Sequence, residues 1–333
     1  MSQQNKTRDS FFDNYKAFLI LCVVIGHFMD HFTSDFRIAE ILRIYIYFFH
    51  IPAFSFISGY FAKKNNYKVL IQKLLFPYFI FQSIYFIMYT GIGRDVSYHL
   101  ISPYFTLWYL IALFAWRLVI DHFKKLPHPI LLSFIGSILI GFIPDCGDFL
   151  SISRIVSFFP FFVMGHFFKK EQFDRIFSRF SMKIGAFTLM LALFLFIYRY
   201  NFLFEIPVLN CQDSYESLGQ ETFGWLFRMT YLPFATCLIY AIGALVPKKQ
   251  TPVTFLGKYT MRVYLCHGLV YKFLTFGTDV LDLVNSYQDF VIYFACIILL
   301  AFALSYVPLE KMMDTCMKPF HAIVRQVKRL YIF

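Results

Sequence analysis

A lysine and two histidines lie in the first long apolar segment of the chain, "NYKAFLILCVVIGHFMDH". Lys16 and His27 are eleven residues apart, so on an α-helix they share one face, about 16 Å apart along the axis. His31 follows one turn later. Ionisable groups in a membrane usually face the protein interior or a water-filled cavity, and imidazole can transfer protons near neutral pH. The pattern favours proton-transfer chemistry at His27 over a structural histidine, whereas Lys16 alone is explained by snorkelling to the interface.

Two further histidines lie near the middle of other apolar segments. His50 occurs in "FFHIPAFSFISGYF", where Pro52 frees a backbone carbonyl close to it, and His267 occurs in "GKYTMRVYLCHGLVYK". Broken helices at membrane depth are tolerated where protein or a cavity surrounds them. Three segments with a histidine at similar depth predict a shared polar cavity, and Arg154 and Trp108 are further candidates for its lining. The alternative for Trp108 is a place in an interfacial aromatic belt.

A cluster of lysines follows the second apolar segment, in "AKKNNYKVLIQKLLFPY". Lys63, Lys64, Lys68 and Lys73 fit two interpretations equally well. They mark the cytoplasmic side of a membrane protein, or they bind the phosphates of a nucleotide-like donor as point charges.

The elements that must position these residues are membrane helices. The chain of 333 residues is 59% hydrophobic and 15% charged, whereas soluble domains have about 25% charged residues. The sequence predicts an all-α, polytopic fold without a separate soluble domain. Ten apolar segments are long enough to cross a bilayer, near 14–32, 39–62, 69–90, 103–122, 128–144, 152–168, 182–200, 222–246, 258–277 and 288–308.

Charged residues alternate along the loops between these segments. With both termini in the cytoplasm, most lysines and arginines fall on the inner side and most acidic residues on the outer side. The net charge of +11 therefore reflects the membrane topology, and it gives the inner surface a charge suited to anionic lipids. It does not indicate nucleic-acid binding, because no soluble basic domain is present. We expect a membrane domain over residues 1–310 and a basic cytoplasmic tail over 311–333.

Five segments occur in the order expected of one known family: "NYKAFLILCVVIGHF", "FFHIPAFSFISGYF", "LWYLIALFAWR", "FFPFFVMGHFFKK" and "FLGKYTMRVYLCHGL". On these segments the chain resembles membrane acyltransferase family 3, and most closely its fucose 4-O-acetylase-like branch. The resemblance implies a ten-helix domain in a bacterial plasma membrane that modifies surface polysaccharides. Its members take an acyl group, usually acetyl from cytoplasmic acetyl-CoA, and deliver it to a carbohydrate hydroxyl at the outer side.

The resemblance also implies roles for individual residues. The family has a motif of a basic residue, ten intervening positions and a histidine. In this chain the motif falls on Lys16 and His27, with lysine where many members have arginine. The family's arginine-rich inner loop corresponds to the lysine cluster. We therefore expect His27 and Lys16 as catalytic residues, with His27 as general base or acyl carrier, and Lys16, Lys63, Lys64 and Lys73 as contacts to CoA. The expected acceptor contacts are His50, Trp108, Arg154 and His267, and no metal is expected.

Two other functions fit the same features. A secondary transporter or flippase for a polysaccharide or sugar-lipid also has polar residues inside membrane helices. Transporters often show internal repeats, and we find no convincing similarity between the two halves of the chain. A pH-sensing membrane scaffold that uses the three histidines is the third alternative.

Overall fold

The computed structural model describes residues 8–63, 66–144, 146–147 and 149–316. All regular structure in these residues is helical, as the sequence predicts. The helices that lie wholly within this part of the chain are, in order, α1 Ser10–Met29, α2 Arg37–Tyr47, α3 His50–Tyr60, α4 Tyr67–Leu70, α5 Phe76–Gly91, α6 Trp108–Phe123, α7 Pro129–Leu139, α8 Ile152–Phe167, α9 Lys170–Phe177, α10 Phe180–Tyr200, α11 Ile206–Asn210, α12 Gly224–Leu245, α13 Thr254–Lys258, α14 Thr260–Gly277 and α15 Tyr287–Ser305. A π-helical turn, Ile71–Leu75, joins α4 to α5, and 3-10 turns follow α1, α7, α10 and α14.

Each of the ten predicted segments contains helix. In the described part of the chain, six helical stretches are long and apolar enough to cross a membrane: Ser10–Phe32, Arg37–Tyr60, Tyr67–Gly91, Phe180–Leu203, Gly224–Leu245 and Tyr287–Ser305. Two shorter apolar stretches cover Pro129–Phe142 and Ile152–Phe167. The protein is therefore a multi-pass membrane protein. The number of ten crossings and the cytoplasmic position of both termini stay predictions.

Helix α1 lies in the interior of the bundle. In its most apolar stretch 72% of residues are buried, against 22% for α10 and 28% for α15. It packs against α2, α3, α13, α14 and α15, so side chains on several of its faces meet protein. An ionisable side chain on α1 consequently faces other helices, which agrees with the prediction for His27.

The second predicted segment consists of two helices, α2 and α3, with a break at Phe48 and Phe49. Pro52 lies in the first turn of α3, where a missing N–H removes no helical hydrogen bond. The Ile46 carbonyl, at the end of α2, accepts from the Phe49 N–H at 3.1 Å and binds the His50 imidazole at 2.9 Å (O to Nδ1), so the carbonyl that His50 contacts is not one freed by Pro52. The break thus presents His50 at the start of α3.

Helices α3 and α8 make the most extensive contact between helices in the described part of the chain. Gly59 of α3 lies against the backbone of Phe162, and Gly165 of α8 lies against the backbone of Phe56. Small residues let helix backbones approach closely in membrane proteins. The reciprocal pair of glycines therefore fixes the spacing between the helix that carries His50 and the helix that carries Arg154.

Candidate active site

Three histidines from three helices meet inside the bundle. The His27 ring lies 5.4 Å from the His267 ring and 6.5 Å from the His50 ring, centroid to centroid. The Phe105 ring lies 4.8 Å from the His27 ring, and the Tyr47 hydroxyl lies 3.2 Å from His27 Nδ1. The structure thus brings the predicted histidines together, around a ring on the buried helix α1.

Two of the three histidines have their tautomer set by backbone carbonyls. Nδ1 of His50 binds the Ile46 carbonyl at 2.9 Å, and Nδ1 of His267 binds the Val263 carbonyl at 3.0 Å. A carbonyl can only accept, so each Nδ1 carries the proton and each Nε2 has a lone pair. His267 Nε2 is buried and has no hydrogen-bond partner among the described residues. His27 differs, because its Nδ1 faces a hydroxyl that can donate or accept.

One cavity runs from Lys16 to His27, and we call it the Lys16 cavity. Its volume is about 230 Å³, and most of its lining is apolar. The apolar lining includes Ile20, Val23, Ile51, Phe54, Leu110 and Leu113. Its cations are Lys16, whose Nζ lies 2.8 Å from an Asp13 oxygen, and Arg117 of α6. A long apolar passage with a cation far from the histidines suits an acyl chain or pantetheine arm ending in a charged group.

A second cavity lies on the other side of His27, and we call it the Arg154 cavity. Its volume is about 330 Å³ and its lining is mainly polar. Its polar and aromatic lining includes Asp30, His50, Trp108, Arg154, Asn210 and Gln212. The Arg154 guanidinium lies over the Trp108 ring, 4.5 Å from its centre. A lining rich in amide and charged groups suits a hydroxylated ligand.

The two cavities share four lining residues, His27, Ile51, Thr106 and Trp108. His27 is therefore accessible both from an apolar passage and from a polar chamber. In the described part of the chain, no group of three or more His, Cys, Asp or Glu residues is placed to hold a metal ion. The chemistry that this arrangement can perform is proton or acyl transfer at an imidazole between two different ligands.

The family model described as "Acyltransferase domain" matches residues 9–310. This chain belongs to acyltransferase family 3. It is also 27% identical, over 183 residues, to the "Nodulation protein NolL" of Sinorhizobium fredii (strain NBRC 101917 / NGR234). That match covers 48% of this chain and 49% of the relative, so the chain spans about half the length of the curated relative that it matches. No solved structure matches. Family membership identifies the protein as a membrane acyltransferase.

In this family 3 acyltransferase, six of the nine predicted site residues line or adjoin the two cavities. Lys16 and His27 line the Lys16 cavity. The Arg154 cavity is lined by His27, His50, Trp108 and Arg154. His267 adjoins both through its stacking contact with His27.

Of the predicted loop contacts to the donor, the two that the structure describes, Lys63 and Lys73, do not line either cavity. Lys63 donates to the backbone carbonyl of His166 and lies 5.3 Å from the Tyr60 ring centre, and partial burial lowers its pKa. Lys73 lies in the π-helical turn before α5. Lys64 lies outside the described residues. That these lysines contact the acyl donor stays a prediction, and it does not depend on the Lys16 cavity.

Sequence reasoning missed several residues that surround His27. Tyr47 and Phe105 contact its ring, Thr106 lines both cavities, and Arg117 is a second cation in the Lys16 cavity. Arg117 carries a signal that the sequence shows, a cation inside an apolar helix. No spacing rule relates Tyr47, Phe105 or Thr106 to His27, because none of the three lies on α1.

Proposed function

We propose that this protein is a plasma-membrane O-acetyltransferase. It transfers acetyl from cytoplasmic acetyl-CoA to a hydroxyl of a carbohydrate, such as a surface polysaccharide or its lipid-linked precursor. The supporting observation is that an apolar cavity and a polar cavity meet at His27. In this proposal the chain crosses the membrane ten times with both termini inside, so the Lys16 cavity faces the cytoplasm and the Arg154 cavity faces outward.

The proposed chemistry needs a base at the junction of the two cavities. The hydroxyl of the sugar reaches His27 from the Arg154 cavity, and the thioester reaches it from the Lys16 cavity. With His27 Nδ1–H donating to the Tyr47 hydroxyl, Nε2 keeps a lone pair and removes the hydroxyl proton. In an alternative with the same residues, Nε2 is acetylated first and passes the acetyl group on.

Acetyl transfer by the purified protein tests this function. We expect membranes or proteoliposomes that contain the protein to release CoA from acetyl-CoA only when a carbohydrate acceptor is added, with a matching O-acetyl signal by NMR. We also expect acetyl-CoA to raise the melting temperature, because a ligand that binds the folded state stabilises it. A transporter or flippase predicts neither result. Acceptor movement without CoA release or stabilisation by acetyl-CoA would favour that alternative.

Lys16 is proposed to bind the charged part of the donor, and Lys16→Met tests this. The substitution removes the charge and keeps the chain length, while Asp13 keeps its other partner, Arg8, at 2.6 Å. We expect the KM for acetyl-CoA to rise about tenfold, which corresponds to about 1.4 kcal/mol, with a small change in kcat. The control is Lys125→Met, which removes an exposed lysine from the turn after α6. An unchanged KM for acetyl-CoA in Lys16→Met would contradict the assignment.

A further inference from the structure

The indole N–H of Trp108 differs from those of the other two tryptophans of the chain. Trp116 and Trp225 each donate their indole N–H to a backbone carbonyl, at 2.7 and 3.0 Å. The Trp108 side chain is only 6% exposed, yet its N–H has no acceptor among the described residues. A buried indole N–H usually finds an acceptor, because an unsatisfied buried polar group is costly. The Trp108 N–H therefore calls for an acceptor that a ligand would supply.

The position of Trp108 indicates which part of a ligand that is. Trp108 lines both cavities, and so do His27, Ile51 and Thr106. Ile51 is apolar, and the Thr106 hydroxyl oxygen is sealed inside the protein, whereas the Trp108 indole nitrogen keeps accessible surface. The junction of the cavities is thus bounded by an imidazole, His27, and by an N–H donor, Trp108. In the proposed reaction the thioester carbonyl and the incoming alcohol meet at this junction.

The neighbours of the Trp108 indole hold it in place. The Arg154 guanidinium lies over the ring, 4.5 Å from its centre. The Phe158 and Tyr109 rings lie 5.9 and 5.7 Å from the indole, centroid to centroid. A ring packed in this way presents its N–H in a direction that is set before any ligand binds. Fixed donors of this kind stabilise a transition state well, because they need no reorganisation during the reaction.

The surroundings of Trp108 favour negative charge on a ligand. The Arg154 guanidinium over the ring carries a permanent positive charge. Helix α6 begins at Trp108, so the positive end of its dipole lies there as well. The neighbouring histidines do not offer a donor in its place, since Nδ1 of His50 and of His267 donates to a backbone carbonyl and each Nε2 is an acceptor. An indole N–H can only donate, so it suits an oxygen on which negative charge develops.

We propose that the Trp108 indole N–H donates the hydrogen bond that stabilises the oxyanion of the acyl-transfer reaction, an inference that rests on the proposed function. The oxygen of the acceptor hydroxyl forms a bond to the thioester carbonyl carbon while its proton passes to His27 Nε2. The carbonyl electron pair moves onto the carbonyl oxygen, which accepts from Trp108 Nε1–H. When the carbonyl re-forms, the C–S bond breaks, and the CoA thiolate takes the proton from the imidazolium.

Replacing Trp108 by benzothienylalanine through genetic-code expansion tests the proposal, because sulfur takes the place of the N–H and the ring keeps its shape. The substrates are acetyl-CoA and a surface-polysaccharide extract freed of O-acetyl groups by mild alkali. We expect kcat to fall about 100-fold, the order found on removing one oxyanion donor. Both KM values stay within about twofold, because the interaction forms only in the transition state.

The matched control is the same replacement at Trp225. Trp225 lines neither cavity, and its N–H already donates to the Thr222 carbonyl at 3.0 Å. The replacement there removes a hydrogen bond within the protein and no contact to either substrate. We therefore expect the kcat of the wild type within about twofold.

The outcomes separate this inference from the function on which it rests. An inactive wild-type protein would overturn the proposed function and this inference with it. An active wild type with an unchanged kcat in the Trp108 replacement would overturn the role of Trp108 and leave the function standing. A raised KM for the polysaccharide at unchanged kcat would also overturn that role, because it shows that the N–H binds the acceptor before the transition state.

A second pair of variants covers the case in which the replaced protein does not fold, as judged by its melting curve. Trp108→His and Trp108→Phe both make the ring smaller, and only histidine keeps a ring N–H. The kcat of Trp108→His must then be at least about tenfold higher than that of Trp108→Phe, since only histidine can donate to the oxyanion. Equal kcat values would overturn the proposal.

Discussion

His27→Ala is expected to lower kcat for acetyl transfer about 1,000-fold, within the range of 10²–10⁴ that a positioned general base contributes. The ring lies where the two cavities meet, and its Nδ1 has a hydroxyl partner in Tyr47. Of the neighbouring histidines, His50 lines the Arg154 cavity but not the Lys16 cavity, and His267 lines neither, so neither is placed to replace it. The measurement is CoA release from acetyl-CoA in membranes with matched protein levels.

The control for this prediction is His31→Ala, which removes an imidazole one turn further along the same helix. His31 lies 4.0 Å from the Asp282 carboxylate, nitrogen to oxygen, and packs against Phe32. It lines neither cavity, so we expect nearly wild-type activity. A His27→Ala protein that folds, reaches normal levels and keeps its activity would contradict both versions of the proposed mechanism.

The part of this site that the sequence predicts depends on helical periodicity and on the cost of burying charge. The spacing from Lys16 to His27 places both on one face of α1, and both line the Lys16 cavity. Histidines at similar depth in three segments predicted that His27, His50 and His267 share a cavity, and their rings do meet. Both inferences use properties of single helices, which a sequence shows directly.

The rest of the site depends on how separate elements pack. Thr106 belongs to the segment before α6 and lines both cavities; this segment contains the left-handed Phe105 and is in contact with Tyr264. Helical periodicity in the sequence does not predict these contacts. Tyr47 likewise reaches His27 from a separate helix, because α2, of which it is the last residue, packs against α1. The division into an apolar and a polar cavity is likewise a property of the assembled bundle.

Gly165→Ala is expected to destabilise the folded protein by more than about 3 kcal/mol, at the upper end of overpacking effects. A Cβ on Gly165 would lie 1.8 Å from the Phe56 carbonyl oxygen and 2.7 Å from its carbon. These are backbone atoms of α3, so no side-chain rotation relieves the clash and the two helices must separate. We expect a large drop in melting temperature in detergent, with little folded protein recovered.

The matched control is Gly185→Ala on the largely exposed helix α10, where a Cβ would have no neighbour within 4 Å. Alanine is preferred over glycine in helices by about 1 kcal/mol, so this variant is expected to be as stable as the wild type or slightly more stable. If Gly165→Ala melts within a few degrees of that control, the close contact between α3 and α8 is wrong. The spacing of His50 and Arg154 across the Arg154 cavity would then need another cause, because these two helices carry them. The same test on Gly59→Ala, where the Cβ would lie 1.9 Å from the Phe162 carbonyl oxygen, examines the contact from its other side.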